Sequence, residues 1–78
     1  MAARVMTAGQ IADYLGISVR SGEYLMQTFV QNGAAICVAP RSNRISIRTF
    51  AEWLSAHDGS DVKTNMRDVI EFLDSAVK

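Results

Sequence analysis

A helix, a glycine turn and a second helix are encoded between Thr7 and Tyr24, and this segment constrains the fold more than any other. Thr7 is a suitable N-cap, and Gln10 stands where the second member of a capping box belongs. Gly16 can end the helix in the left-handed conformation that glycine adopts without steric cost. The pattern therefore predicts a first helix over residues 8–15, followed by a turn that redirects the chain.

The second helix is predicted to begin after Ser18, a good N-cap, and to extend to about Gln31, where Asn-Gly at 32–33 forms a stop signal. Gly22 lies inside this helix and costs it about 1 kcal/mol relative to alanine. We expect close packing against the small Ala12 to compensate, because helices that cross steeply must approach each other closely. Two helices joined in this way are typical of a helix-turn-helix, whose second helix usually enters the DNA major groove.

Two alternating segments follow and predict strands over residues 35–39 and 44–48. Residues 40–43 (Pro-Arg-Ser-Asn) are turn-forming. In the second strand, Ile45 and Ile47 share one side and polar residues share the other. The prediction is a two-stranded hairpin with an arginine-flanked tip, which is called a wing when it follows a helix-turn-helix.

The rest of the chain predicts two more helices, over about residues 50–56 and 62–77, separated by a break at 57–61. Thr49 and Glu52 form a second capping-box pattern that opens the first of them. That helix is expected to bury Phe50, Trp53 and Leu54. The last helix carries an apolar stripe of Met66, Val69, Ile70, Leu73 and Val77. This stripe either folds back to complete the core or mediates self-association with a second copy.

Charge is distributed unevenly along the chain, although the net charge of its 78 residues is zero. Residues 1–50 carry five arginines against two carboxylates, whereas residues 51–78 carry six carboxylates against three cations. Arginine binds phosphates and guanine edges bidentately. The first part is therefore expected to hold a binding face, with ordinary surface charge as the alternative.

Enzyme chemistry finds no support in the sequence, which contains no HxxxH, no CxxC and no phosphate-cradling glycine loop. Cys37 is the single cysteine and excludes an intrachain disulfide. His57, near a predicted helix end, is expected to meet the last carbonyls of that helix. No run of about 18 apolar residues predicts a membrane span, and no apolar signal-peptide core stands at the start. We expect a cytoplasmic protein that is not an enzyme and has no cofactor and no metal.

The segments TAGQIADYLGIS, QNG and ISIRTFAEWL occur in an order that resembles the excisionase-like and MerR-like winged helix-turn-helix proteins. The resemblance covers residues 6–56. It implies an α+β, mostly α fold, with a winged helix-turn-helix domain over residues 1–59 that includes a two-stranded hairpin. An extra C-terminal helix lies within residues 60–78. The implied function is sequence-specific binding of double-stranded DNA, as a small transcriptional regulator or an excisionase-type recombination directionality factor of a phage or other mobile element.

On this interpretation the polar face of the second helix meets the bases, and the hairpin meets the backbone or minor groove. The DNA-binding residues expected are Ser18, Val19, Arg20, Glu23, Tyr24, Gln27, Arg41, Ser42, Asn43 and Arg44. Arg20 can fork onto guanine and Gln27 can pair with adenine, while Glu23 either accepts from cytosine or orients Arg20. Plain structural roles stay open as well: an Arg20–Glu23 ion pair, Tyr24 at the core edge, and Arg48 anchored on the third helix.

Partners other than DNA also fit the sequence. The second helix is only modestly basic, and residues 60–78 lie outside the resemblance. A protein-interaction module or inhibitor from a mobile element, built on the same scaffold, is therefore the alternative function. The expected partners are double-stranded DNA, a second copy in a homodimer or cooperative oligomer on DNA, and a recombinase or other protein, with no membrane.

Overall fold

The structure, a computed structural model, describes residues 5–39 and 42–76. Within these ranges the chain forms a small α+β fold, mostly helical, with four helices and a three-stranded antiparallel sheet. The elements in chain order are β1 (Val5–Met6), α1 (Ala8–Leu15), α2 (Val19–Gln31), β2 (Ala35–Ala39), β3 (Ser42–Ser46), α3 (Ile47–Asp58) and α4 (Val62–Ala76).

Local capping defines α1 and α2 as predicted. Thr7 Oγ1 accepts a hydrogen bond from the Gln10 backbone N–H at 3.1 Å, and Gln10 Oε1 accepts one from the Thr7 N–H at 2.9 Å. Gly16 ends α1 with φ of 71°. Ser18 then caps α2 by accepting from the Ser21 N–H at 3.1 Å. These bonds satisfy backbone donors that a helix start leaves without partners.

The hairpin forms, but its second strand lies closer to the tip than predicted. The prediction covered residues 44–48, whereas β3 covers Ser42–Ser46. Ser42 and Asn43, expected in the turn, are strand residues that pair with β2. Arg41, expected at the tip, lies outside the described residues.

The start of α3 also differs from the prediction. Ser46, not Thr49, is the N-cap, and its Oγ accepts from the Thr49 N–H at 3.0 Å. Thr49 and Glu52 therefore form no capping box at this helix start. Ile47 and Arg48 belong to the first turn of α3 rather than to a strand.

A third strand, β1, was absent from the prediction, which had only a hairpin. Val5 pairs with Ser46 and Met6 pairs with Ile45, so β3 lies in the centre of the order β1-β3-β2. Two residues are too few to show an alternating pattern in the sequence. Met6 is nevertheless completely buried, and this strand anchors the residues before α1 to the sheet.

The core lies where the sheet, the α1–α2 pair, α3 and α4 meet. Its buried members are Met6, Ile11, Met26, Phe29, Ala35, Ile45, Ile47, Phe50, Val69 and Leu73. Phe29 packs edge-on against Trp53, with ring centroids 5.3 Å apart. Phe50 is buried as predicted, whereas Trp53 and Leu54 are only half-buried at its edge.

The apolar stripe of α4 folds back onto the domain, the first of the two predicted alternatives. Val69 and Leu73 are buried in the chain's own core, so neither offers a surface to a second copy. Met66 and Ile70 are half-buried against that core, and Val77 lies outside the described residues. The predicted self-association surface is therefore not available as a continuous stripe.

Candidate nucleic-acid interface

The polar face of α2 is exposed, as predicted. Val19 and Tyr24 expose 57% and 61% of their surface. Arg20, Glu23 and Gln27 are exposed beside them, while the opposite face of the helix is anchored in the core. Tyr24 does not pack at the core edge, and the helix presents polar side chains to any neighbouring molecule.

An open groove of about 540 Å³ separates this face from the hairpin. The structure brings six of the predicted DNA-binding residues to it: Arg20, Glu23, Tyr24, Gln27, Asn43 and Arg44. α2 supplies four of these residues and β3 supplies two. Residues 24 positions apart in sequence, Arg20 and Arg44, thus reach the same concave surface from different elements.

Three of the predicted residues that the structure describes, Ser18, Val19 and Ser42, do not line this groove. Ser18 is the cap of α2 and also donates from its Oγ to Ser21 Oγ at 3.0 Å. Val19 is exposed on the first turn of α2, and Ser42 is half-buried in β3, and neither lines the groove. Arg41 lies outside the described residues.

The groove carries more positive than negative charge. Within the part of the chain that the structure describes, Arg20 and Glu23 form no ion pair, either with each other or with another residue. Arg44 donates from Nη1 to the Asn43 carbonyl oxygen at 2.9 Å, which holds its guanidinium against the hairpin. Two guanidinium groups therefore face one carboxylate, Glu23, along the groove.

Arg48 lies elsewhere, although it was a candidate for DNA contact. Its Nε is 3.6 Å from Glu52 Oε2, one turn further along α3, and both side chains are largely exposed. Such a surface pair contributes about 0–1 kcal/mol. Arg48 is thus anchored on the third helix, the alternative that the sequence left open.

The start of α1 also lines the groove, which sequence reasoning missed. Thr7, Ala8 and Gly9 form this wall. Backbone and small side chains give no chemical signal in a sequence. The available signal was Gly9 itself, a poor helix former placed in a first turn.

The carboxylates Asp58 of α3 and Asp68 of α4 act on Tyr14 of α1, and none of these three residues lines the groove. Burial raises the pKa of the Tyr14 phenol above its ordinary value of 10.0, and the charges of Asp68 and Asp58 raise it further. Asp58 itself accepts hydrogen bonds from the hydroxyl and backbone N–H of Ser60, which lower its pKa. These carboxylates disfavour a polyanion beside Tyr14.

Two other kinds of site are not found among residues 5–39 and 42–76. No cluster of three or more histidine, cysteine, aspartate or glutamate side chains is placed to hold a metal ion there. None of the helices in these ranges has both the length and the apolar character to cross a membrane. His57 has a structural contact: its Nδ1 lies 2.9 Å from the Trp53 carbonyl oxygen, as expected for a histidine near a helix end.

No protein-family model matches this chain. Searches of curated proteins and of solved structures each gave no significant match. A function for this chain must therefore be inferred from the geometry and charge of the groove.

Proposed function

We propose that this chain is a winged helix-turn-helix protein that binds double-stranded DNA sequence-specifically. Its role would be that of a small transcriptional regulator or an excisionase-type recombination factor. In this proposal α2 is the recognition helix and the β2–β3 hairpin is the wing. The observation that carries it is the shared groove, where Arg20 of α2 and Arg44 of β3 lie beside an exposed polar helix face.

The dimensions of α2 support this role. The helix has 13 residues, which makes it about 20 Å long at a rise of roughly 1.5 Å per residue. The major groove of B-DNA is about 12 Å wide and admits one α-helix. Its buried face fixes the helix to the core, so the exposed face is presented on a rigid element.

The side chains on that face have the chemistry of base readout. Arg20 donates two parallel hydrogen bonds to guanine O6 and N7, and Gln27 pairs with adenine N6 and N7. Glu23 accepts from cytosine N4. Tyr24 reaches a phosphate oxygen or a thymine methyl group. Arg44, held on the hairpin, contacts the sugar-phosphate backbone or the adjoining minor groove.

Selection of bound duplexes from a random pool, at about 50 mM and about 200 mM salt, tests the proposal. We expect enrichment of a short motif and weaker retention at the higher salt. The double variant Arg20→Ala/Arg44→Ala should lose the shift of the selected duplex. Lys63→Ala/Arg67→Ala removes the same charge from the exposed side of α4 and should keep it.

Two results would contradict DNA binding by this chain. A wild-type chain that elutes from heparin and DNA resin without added salt, and that enriches no motif, contradicts the proposal. So does equal loss of binding in the groove variant and the α4 control, since that result reports net charge alone.

A second candidate is a protein-interaction module on the same scaffold. Ile36 and Val38 favour it, because they expose 63% and 65% of their surface on β2, a strand at the edge of the sheet. This alternative predicts that the wild type is not retained on DNA resin. It also predicts that Ile36→Ser/Val38→Ser abolishes binding of the protein partner. The resin experiment therefore separates the two candidates before any partner is known.

A further inference from the structure

We infer that one phosphodiester strand of the bound duplex passes through the groove over Gly9, between Arg20 of α2 and Arg44 of β3. The inference rests on the proposed function. It adds the ligand class that fills the groove, and it identifies Gly9 as the residue that leaves room for that ligand.

The path of a DNA backbone provides the first argument. In a duplex, each sugar-phosphate strand is the ridge that separates a major groove from the neighbouring minor groove. If α2 lies in the major groove and the hairpin reaches the adjacent minor groove, a strand must cross the space between them. That space is the groove of about 540 Å³, which is partly open to solvent.

Gly9 provides the second argument, because nothing in the described part of the chain requires glycine at this position. Three of the five glycines have positive φ, and Gly22 is packed tightly against α1. Gly9 has neither property: among residues 5–39 and 42–76, a Cβ there would meet only Thr7 Oγ1, at an ordinary contact distance of 3.8 Å. Alanine would serve α1 better. The missing side chain leaves the wall of the groove bare where it meets solvent.

Charge provides the third argument. Arg20 and Arg44 line the groove with Glu23 as the single carboxylate there, and neither arginine is neutralised by an ion pair within the described residues. A phosphodiester carries one negative charge per linkage and accepts hydrogen bonds from guanidinium groups. A cationic or apolar ligand would leave both guanidinium groups uncompensated.

Substitutions at Gly9 test the inference, because an added Cβ there makes no close contact with the described residues. Gly9→Leu fills the space over the wall, and Gly9→Gln and Gly9→Glu compare equal size with different charge. Each variant should unfold at a temperature equal to or above that of the wild type. Gly9→Leu should weaken binding of the selected duplex by about tenfold or more. Gly9→Glu should bind more weakly than Gly9→Gln, and the difference should shrink as salt increases.

Ala56→Leu is the matched control, since Ala56 is an exposed helix residue of α3 that does not line the groove. It introduces the same side chain, with one added carbon atom fewer than Gly9→Leu, and should bind the duplex like the wild type. A fall in affinity for Ala56→Leu equal to that of Gly9→Leu would overturn the inference.

A phosphate scan locates the contact directly. Single linkages of the selected duplex are replaced by neutral methylphosphonates, and affinity is measured for the wild type and Gly9→Leu. One or two adjacent linkages should weaken wild-type binding severalfold yet have little effect on Gly9→Leu, because that variant has already lost the contact.

The outcomes separate this inference from the proposed function. If the wild type binds the duplex but Gly9→Leu binds equally well, the strand does not pass over Gly9 and the inference is wrong while DNA binding stands. The same holds if the phosphate scans of both proteins coincide. If the wild type enriches no duplex at all, the inference falls together with the proposed function.

Discussion

A Cβ atom at Gly22 would stand 2.8 Å from the Cβ of Ala12, closer than such atoms approach in folded proteins. The same added atom would lie 2.6 Å from the carbonyl oxygen of Ala8. At Gly22, the backbone of α2 therefore packs directly against α1 with no side chain between them. Both neighbours belong to rigid helix, so the crossing that orients the exposed face of α2 depends on the missing side chain.

Gly22→Ala should destabilise the protein, although alanine is the better helix former by about 1 kcal/mol. Overpacking a close contact costs about 1–3 kcal/mol, which exceeds that gain. The free energy of unfolding, measured by urea denaturation, checks the result. Gly9→Ala is the matched control: among the described residues its Cβ meets Thr7 Oγ1 alone, at an ordinary contact distance of 3.8 Å, so it should stabilise α1 by up to about 1 kcal/mol. A Gly22→Ala variant as stable as Gly9→Ala would show that the helices can separate without cost.

Elements set by local capping were predictable from sequence, and those set by tertiary pairing were not. Thr7, Gly16 and Ser18 act on neighbours within a few residues, and α1 and α2 have the predicted bounds. Ser46 and Thr49 are both competent caps, and the choice between them depends on where β3 ends. β3 pairs with β1 as far as Ser46, which lies opposite Val5. The sequence did not predict this end point, because a two-residue strand such as β1 shows no alternating pattern.

The site was predictable to the same extent. Side chains suited to nucleic-acid contact, such as Arg20 and Arg44, could be proposed from their type and their place in the motif. Their meeting in one groove depends on the packing of the hairpin beside α2, which the sequence pattern does not encode. The wall formed by Thr7, Ala8 and Gly9 was not predicted, because its one signal was a glycine in the first turn of α1.

Glu23→Gln should raise the affinity for unrelated duplexes by up to about fivefold, because it removes the one carboxylate that lines the groove among the described residues. At the same time it should relax the preference for one base pair, because glutamine is not restricted to accepting hydrogen bonds from cytosine. Affinities for the selected duplex and for a shuffled one, measured at one salt concentration, check both effects. Uniformly weaker binding would instead identify Glu23 as a residue that supports the fold of the interface.

Asp58 should make stability depend on pH in acid. Hydrogen bonds from the hydroxyl and backbone N–H of Ser60 lower its pKa from 3.8 in the folded chain. A lowered folded pKa means that the contribution is fully present above the unfolded value and is lost as pH falls through the folded one. Asp58→Asn has no carboxyl group to titrate at this position, so its free energy of unfolding should fall less than that of the wild type as the pH is lowered. Urea unfolding between about pH 5 and pH 2 measures it.

Ser60→Ala is the companion variant for this measurement. It should return the pKa of Asp58 towards its ordinary value, which a carboxyl NMR titration detects. The Ser60 hydroxyl also accepts a bond from the buried Asn65 amide at 2.6 Å, so this variant should lose stability at every pH. Only the pH-dependent part of the change in the free energy of unfolding reports on Asp58. An unchanged Asp58 titration in Ser60→Ala would refute the assigned cause.

Arg20 and Arg44 should differ in what their removal does to DNA binding, because one is assigned to base edges and the other to the backbone. Arg20→Ala should cost about 1–3 kcal/mol on the selected duplex and relax the sequence preference at one position. Arg44→Ala should weaken binding about equally on all sequences and reduce the slope of log affinity against log salt by about 1. Filter binding of a panel of single-base variants at several salt concentrations measures both quantities. In the reversed pattern, Arg44→Ala changes base preference and Arg20→Ala changes only the salt slope. That result would assign base contact to Arg44 and backbone contact to Arg20, and it would contradict the placement of α2 in the major groove.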